Sequence, residues 1–362
     1  MSHSKNVPTR ALRSVLALSA LVSLAAASAI AQNASAYVTL AASEEEQSIC
    51  RMVNIGHLPG ATLSLANGIN SRGQIVGTSG SNAFLYSEFQ MKNLGTLGGA
   101  TSYAYGINRS GQVVGHADTK SGTTHAFLYE KGKMADIGTL GGSNSFAYGI
   151  NDAGQIVGQA QTTSGTYHAF VYQHGGMTDL GSFAGGNSTA YRINNNGIIV
   201  GSSYINATDF HAFSYQNGVM KDLGNGPGYT DSEAFGINDK GDIVGYTETA
   251  DASQVRGFIY KNGQLTNLPS LGGNSSYAAD INKRGVTAGY SQIGDGSFHS
   301  VAYVPKITFD LGTLPQGVFS FALAVNNHND IVGYSGTKRG TADAYVCKFT
   351  GGHDDNEDND GE

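Results

Sequence analysis

Apolar and polar positions alternate in short bursts along most of this chain, and the bursts recur. The string Ile-Asn-x-x-Gly-x-Ile-Val-Gly, allowing substitutions, appears seven times, anchored on Asn70, Asn108, Asn151, Asn194, Asn238, Asn282 and Asn326. The spacings are 38, 43, 43, 44, 44 and 44 residues. Alternation with period two predicts strands rather than helices. In the Asn151 repeat it predicts strands over Phe146–Ile150, Ile156–Ala160, His168–Gln173 and Met177–Leu180. Turns such as Asn217-Gly218 and Asn262-Gly263 join the last two strands, the strongest short hairpin signal. Each repeat therefore reads as a four-stranded meander.

Three residues after the anchors stand Gly73, Gly111, Gly154, Gly197, Gly241, Gly285 and then Asn329. Asn is the non-glycine residue most at ease at positive φ, so the one exception predicts a left-handed position. Asn opening a turn of this kind reads as a turn cap, and that is the role expected of all seven anchors. Tyr105, Tyr148, Tyr191 and Phe235 share one strand face with the Ile two residues on, while Ala104, Ala147, Ala190 and Ala234 share the other. Large residues of one repeat are thus expected to seat over small residues of the next. Four strands in about 43 residues, repeated seven times, predict an all-β fold, a seven-bladed β-propeller of four-stranded blades. A β-solenoid is the rival, and its short coils are not seen.

The array is offset at its ends. Arg51-Met52-Val53-Asn54-Ile55-Gly56 matches a fourth strand, and Asp343–Phe349 matches a third strand with no fourth after it. An N-terminal strand is expected to join the C-terminal blade and close the ring, over residues 50–349. In that closure Cys347 takes the place held elsewhere by Tyr86, Tyr129, Tyr172, Tyr215, Tyr260 and Tyr303, and Cys50 falls beside it. A Cys50–Cys347 disulfide follows as an expectation.

Lys5, Arg10 and Arg13 precede an apolar run from Val15 to Ala31 that ends in Ala29-Ile30-Ala31, with a second A-x-A site at Ala34-Ser35-Ala36. This is the pattern of a secretory signal peptide, assigned to 1–31, followed by a flexible segment over 32–49. At the other end 350–362 is expected to be a disordered tail, carrying six acidic residues. A secreted or periplasmic monomer without a membrane span is the expected product. Composition narrows the field further. With 14% charged residues, a net charge of −7 and no basic cluster, nothing draws the chain to nucleic acid or an anionic bilayer. Its 51 Gly follow no G-X-Y period, and 40% hydrophobic residues are too many for disorder.

His125-Ala126-Phe127, His168-Ala169-Phe170 and His211-Ala212-Phe213 recur at the start of the third strand, with Asn82-Ala83-Phe84 as a variant. With the Ile-Asn-x-x-Gly core and strings like Leu-Gly-Thr-Leu-Gly-Gly, they resemble the HAF family of probable extracellular repeats over residues 50–349. Arg256-Gly257-Phe258, His299-Ser300-Val301 and Asp343-Ala344-Tyr345 depart from the triplet. The resemblance implies export and repetition, and no activity or site residues. The His side chains are expected at a blade edge, hydrogen-bonded to main chain.

Catalytic motifs are absent from the sequence: no Gly-x-Ser-x-Gly elbow, no His-Glu-x-x-His, no phosphate-binding Gly-Lys-Ser/Thr. With no Trp, the chain also lacks the signatures of WD, kelch and Asp-box propellers. No cofactor and no metal are expected; the Asn238–Asp242 turn resembles a calcium loop only in the spacing common to all the repeat turns. Arg192 and Asp280 replace small residues of inner strands and Glu233 replaces an aromatic or Thr, giving a candidate polar set for the channel. Loops between second and third strands vary over Gln161–Tyr167, Ser203–Phe210, Thr247–Val255 and Ser291–Phe298. Tyr167, Tyr204, Phe210, Tyr246, Tyr290 and Phe298 in or beside them are the candidate ligand-binding residues. The expected function is a non-catalytic binding or scaffold module that recognises a glycan or envelope protein through the face made of these loops and the blade-to-blade loops. The alternative is an extracellular polysaccharide hydrolase or lyase using Arg192, Glu233 and Asp280.

Overall fold

The computed structural model describes residues 49–305 and 307–350. The expected signal peptide, all of the 32–49 segment but Ile49, and the tail beyond Thr350 lie outside the described residues. Among the described residues the chain is all-β, with 28 strands in a β-propeller arrangement. They form five four-stranded sheets and one eight-stranded sheet. The eight-stranded sheet contains the Asn238 and Asn282 repeats, linked by one parallel pair, Val255 and Ser275.

Within each repeat the strands run as an antiparallel meander. In the Asn151 repeat they span Gly141–Ile150, Ile156–Thr162, Tyr167–Gln173 and Gly176–Asp179. The first two are longer than alternation predicts, because the ladder continues into polar residues that carry no hydrophobic signal. The turn after the first strand forms as expected: the Gly154 amide donates to the Asn151 carbonyl at 3.0 Å, and Asn151 Oδ1 accepts from Gln155 N at 3.0 Å. Gly154 has φ +80° and Asn329, its counterpart, +65°.

Three features at fixed offsets from the anchor organise each repeat, and they explain why it folds as it does. Seven residues on stands Gly77, Gly115, Gly158, Gly201, Gly245, Gly289 or Gly333. A Cβ there would collide with a main-chain carbonyl of the first strand, Phe146 O in the case of Gly158. That carbonyl is pushed close by a bulge in the first strand, seen as a register shift between Ala147 and Gly149. Six residues before the anchor is always a buried Ser: Ser64, Ser102, Ser145, Ser188, Ser232, Ser276 or Ser320. Its Oγ accepts an amide of the preceding third strand at 2.8–3.1 Å, from Ala83 N to Ser102 through Ser300 N to Ser320. Ser64 accepts from Ala344 N at 2.9 Å in the same way, across 280 positions.

The anchors themselves do more than cap turns. Asn70 Nδ2 donates to the Asn108 carbonyl, Asn108 to Asn151, Asn151 to Asn194, Asn194 to Asn238, Asn238 to Asn282 and Asn282 to Asn326, all at 2.9–3.1 Å. Asn326 donates in turn to the carbonyl of Asn70 at 3.2 Å.

Apolar packing follows the same order. Val76 and Ala83 of one repeat pack with Ala104, Val113 and Phe127 of the next. Val114 and Ala126 then pack with Ala147, Ile156 and Phe170. Phe84, Phe127, Phe170, Phe213 and Phe258 are wholly buried in these seams. Burying a phenyl ring is worth about 1.5–3 kcal/mol, so the seams between repeats hold much of the stability. The strand Cys50–Asn54 pairs antiparallel with Ala342–Phe349, placing Met52 opposite Cys347 and Cys50 opposite Phe349. Cys50 and Cys347 form a disulfide with Cα atoms 5.5 Å apart.

Candidate binding face and axial cavity

The first strands of the repeats converge on a common axis. Tyr105, Tyr148, Tyr191 and Phe235 occupy the bulge position of successive repeats, and neighbouring rings stand 5.1–5.5 Å apart. A second aromatic layer lies toward the start of the first strands. There Glu233, Tyr277 and Phe321 pair across the ladder with Tyr246, Tyr290 and Tyr334. Their rings form a run: Tyr246 to Tyr277 at 5.2 Å, Tyr277 to Tyr290 at 4.6 Å, Tyr290 to Phe321 at 4.7 Å and Phe321 to Tyr334 at 5.1 Å. Burial pushes the Tyr148, Tyr191, Tyr246 and Tyr290 hydroxyls well above the ordinary tyrosine range, and Glu233 adds to the shift.

His116 belongs to the same layer, with ring centroids 4.9 Å from Tyr103 and Phe146 and 5.5 Å from Tyr105. Desolvation lowers its pKa to about 4, so the ring is neutral at ordinary pH. Sequence reasoning passed over it. The available signal was its place two residues from Val114, where other repeats carry Gln159, Tyr246, Tyr290 or Tyr334.

The six candidate aromatics divide. Phe210, Tyr246 and Tyr290 are buried, at 5%, 7% and 4% exposure, which corrects the expectation that they face a ligand. Tyr246 and Tyr290 sit in the axial aromatic run, and Phe210 packs on Tyr204 at 5.8 Å. Tyr167, Tyr204 and Phe298 are half-buried at the edge where second strands turn into third. The loop tips there are shorter than expected, since much of each span is strand. Thr119–Thr123, Thr162–Thr166 and Thr337–Thr341 share a Thr-x-x-Gly-Thr pattern, whereas Ile205–Asp209, Thr249–Gln254 and Ile293–Ser297 differ from it and from one another. The links into the next repeat also differ, from the short 94–97 to the longer 180–187 and 225–230.

The polar candidates also separate. Arg192 and Asp280 line one axial cavity of about 140 Å³, together with Gly68, Ile69, Tyr105, Gly106, Ile107, Ile150 and Ala324. Glu233 is not among the residues lining it: Glu233 is buried in the aromatic layer, with Ser202 Oγ at 3.4 Å. Burial raises the Asp280 carboxyl above the usual range, against the pull of Arg192 and of the Val325 and Ile281 amides.

The recurrent His residues bond a carboxylate rather than main chain, which corrects the sequence reading. His125 Nδ1 stands 2.7 Å from Asp136, His168 and His211 each 2.8 Å from Asp179 and Asp222, and His299 2.9 Å from Asp310. Each pair spans 11 residues, from the start of the third strand to the end of the fourth. Repeats that lack the His carry Asn at the Asp position: Asn82 goes with Asn93 and Arg256 with Asn267. The reason is chemical. Asp136 Oδ1 accepts the Gly138 amide as Asn93 Oδ1 accepts that of Gly95, both at 2.8 Å, but only a carboxylate has a second acceptor for imidazole. The pairs are spread over four repeats, a structural device rather than one catalytic centre. Among the described residues no group of three or more His, Cys, Asp or Glu is arranged to hold a metal. Asp239 and Asp242 of the calcium-like turn are engaged by Asn195 N at 2.8 Å and Lys261 Nζ at 3.3 Å.

No family model matches the chain, and no curated protein matches it. Solved structures do. The extracellular domain of a hybrid two-component system from B. thetaiotaomicron matches with a TM-score of 0.54 at 14% identity, over 82% of this chain and 39% of that one. A puromycin-hydrolysing peptidase from Mycobacterium tuberculosis matches with a TM-score of 0.51 at 11% identity, over 78% of this chain and 48% of that one. The chain spans less than half the length of either. The likeness is one of fold alone.

Proposed function

We propose that the chain is an exported, non-catalytic binding or scaffold module of the HAF-repeat type, monomeric and built as seven blades in a closed ring. Two series of hydrogen bonds support the closed ring, one through the Asn anchors and one through the buried Ser residues. Both pass from the last repeat to the first with the geometry found at every other seam. The Cys50–Cys347 disulfide supports export, since such bonds persist in oxidising compartments.

The observation that carries the binding role is the contrast between the two edges of the sheets. At one edge the Asn-x-x-Gly turns repeat nearly unchanged, held by their own hydrogen bonds. At the other the loops differ in sequence and length among the Asn194, Asn238 and Asn282 repeats. Positions freed from structural demand in a chain of otherwise repeated parts are where recognition develops. Tyr167, Tyr204 and Phe298 supply half-buried aromatic surface at this edge, suited to stacking on sugar rings or packing on an envelope protein.

The test is a binding screen of the mature protein against glycans and envelope fractions, with a parallel turnover screen on polysaccharides. Replacing Tyr167, Tyr204 and Phe298 by Ala is expected to weaken the interaction found, with little change in stability. Turnover without saturable binding to intact polymer, or binding lost only through changes in the Asn-x-x-Gly turns of a folded protein, overturns this reading.

A further inference from the structure

Two residues before the anchor the repeats carry Gly68, Gly106, Gly149, Arg192, Gly236, Asp280 and Ala324. The position favours small residues for a physical reason. A Cβ on Gly68 or Gly149 would press on the carbonyl of Tyr105 or Tyr191 in the next repeat. Arg192 and Asp280 break that rule, and both are partly buried charges. They are opposite in sign and line the same cavity.

They attract through space without making a close ion pair. Among the described residues no ion pair joins them. Each is instead held from behind by main chain. Arg192 Nη1 donates to the Tyr148 carbonyl at 3.0 Å, using one of five guanidinium N–H groups. Asp280 accepts from Ile281 N at 3.0 Å and Val325 N at 3.1 Å, leaving further lone pairs on both oxygens. The result is a guanidinium and a carboxyl group on the walls of one space, whose other lining is Gly, Ala, Tyr105 and the apolar Ile69, Ile107 and Ile150.

We propose that this axial cavity binds a small α-amino acid, with its carboxylate on Arg192, its ammonium on Asp280 and its side chain against the isoleucines. A simple anion would pair with Arg192 alone, and a simple cation with Asp280 alone. A zwitterion meets both. The cavity, about 140 Å³ and partly open, admits an amino acid as small as glycine, alanine or valine. The site is independent of the loop edge, so either proposal can fail without the other.

The experiment is calorimetry and thermal melting of the mature protein with glycine, L-alanine and L-valine, using acetate and methylammonium as single-charge probes. At least one amino acid is expected to bind one to one and raise Tm, with each single-charge probe weaker by about tenfold or more, the worth of one charge-assisted hydrogen bond. Arg192→Gly and Asp280→Gly install the residue of the sister repeats, so the fold should survive, and each should weaken binding by a similar factor. No binding by any of the three amino acids overturns the proposal, as does binding unchanged in both variants. Should either variant fail to fold, crystals of the wild-type protein soaked in the amino acids decide: density bridging Arg192 and Asp280 supports the site, and water alone there overturns it.

Discussion

Asn326 donates its side-chain amide to the carbonyl of Asn70, 3.2 Å away and 256 positions earlier in the chain. The bond is buried and repeats what Asn151 does with Asn194 at 3.1 Å. Removing it leaves the Asn70 carbonyl with the Gly73 amide alone and takes away the Oδ1 that caps the His328 and Asp330 amides. Asn326→Ala is therefore expected to destabilise by about 1–3 kcal/mol, and Asn151→Ala by a similar amount. Urea unfolding of the two variants checks this. An Asn326→Ala variant as stable as wild type, beside a weakened Asn151→Ala variant, would mean that the seam between last and first repeats is open in solution.

The disulfide joins residues 297 positions apart. Constraining so long a loop restricts the unfolded chain, and typical bridges contribute about 2–4 kcal/mol. Reduction with a thiol is expected to lower Tm by several degrees while the sheet signal in circular dichroism persists at low temperature, since the seams between repeats remain. Two free thiols in exported protein, measured by mass under non-reducing conditions, would contradict the pairing.

Gly158→Ala places a methyl group against the carbonyl of Phe146. Neither strand can shift without opening the bulge that holds the axial aromatics, and overpacking of this kind costs about 1–3 kcal/mol. By contrast Gly122→Ala, in open space on a loop tip at φ +87°, meets only backbone strain and is expected to cost about 1 kcal/mol. Denaturant midpoints for the two variants rank them. Equal losses would show that the bulge yields.

The His299 pKa is raised above its ordinary value, chiefly by the hydrogen bond that its ring donates to Asp310. A raised pKa means that the folded state holds the proton more tightly than the unfolded one. This contribution to stability is full below about pH 6.5, the unfolded value, and is lost as pH rises through the folded value. Nuclear magnetic resonance titration of His299 is expected to give a pKa above 6.5, falling toward it in Asp310→Asn. The variant should keep its turn, as Asn93 and Gly95 keep theirs.

What the sequence by itself determined is the repeated part. Turns, strand count, the left-handed position at Asn329, the offset ends and the Cys50–Cys347 pairing were legible, because each depends on local backbone chemistry or on counting repeats. The invariant Ser six residues before each anchor was equally visible, but its purpose was not. Its partner lies in the preceding repeat, and no local rule predicts a hydrogen bond across a seam. The same holds for the anchors, whose turn-capping role could be read locally while their reach to the next repeat could not. Only the tertiary structure decided which aromatics are surface and which are core. Tyr246 and Tyr290 stand beside loops in the sequence, yet a bulge in each first strand and convergence on the axis bury them. Convergence also brings Arg192 and Asp280, 88 residues apart, to one cavity and leaves Glu233 in another layer. Distances between repeats depend on how sheets stack around an axis, and a one-dimensional pattern of apolar and polar residues fixes the faces of each sheet but not what meets at the centre.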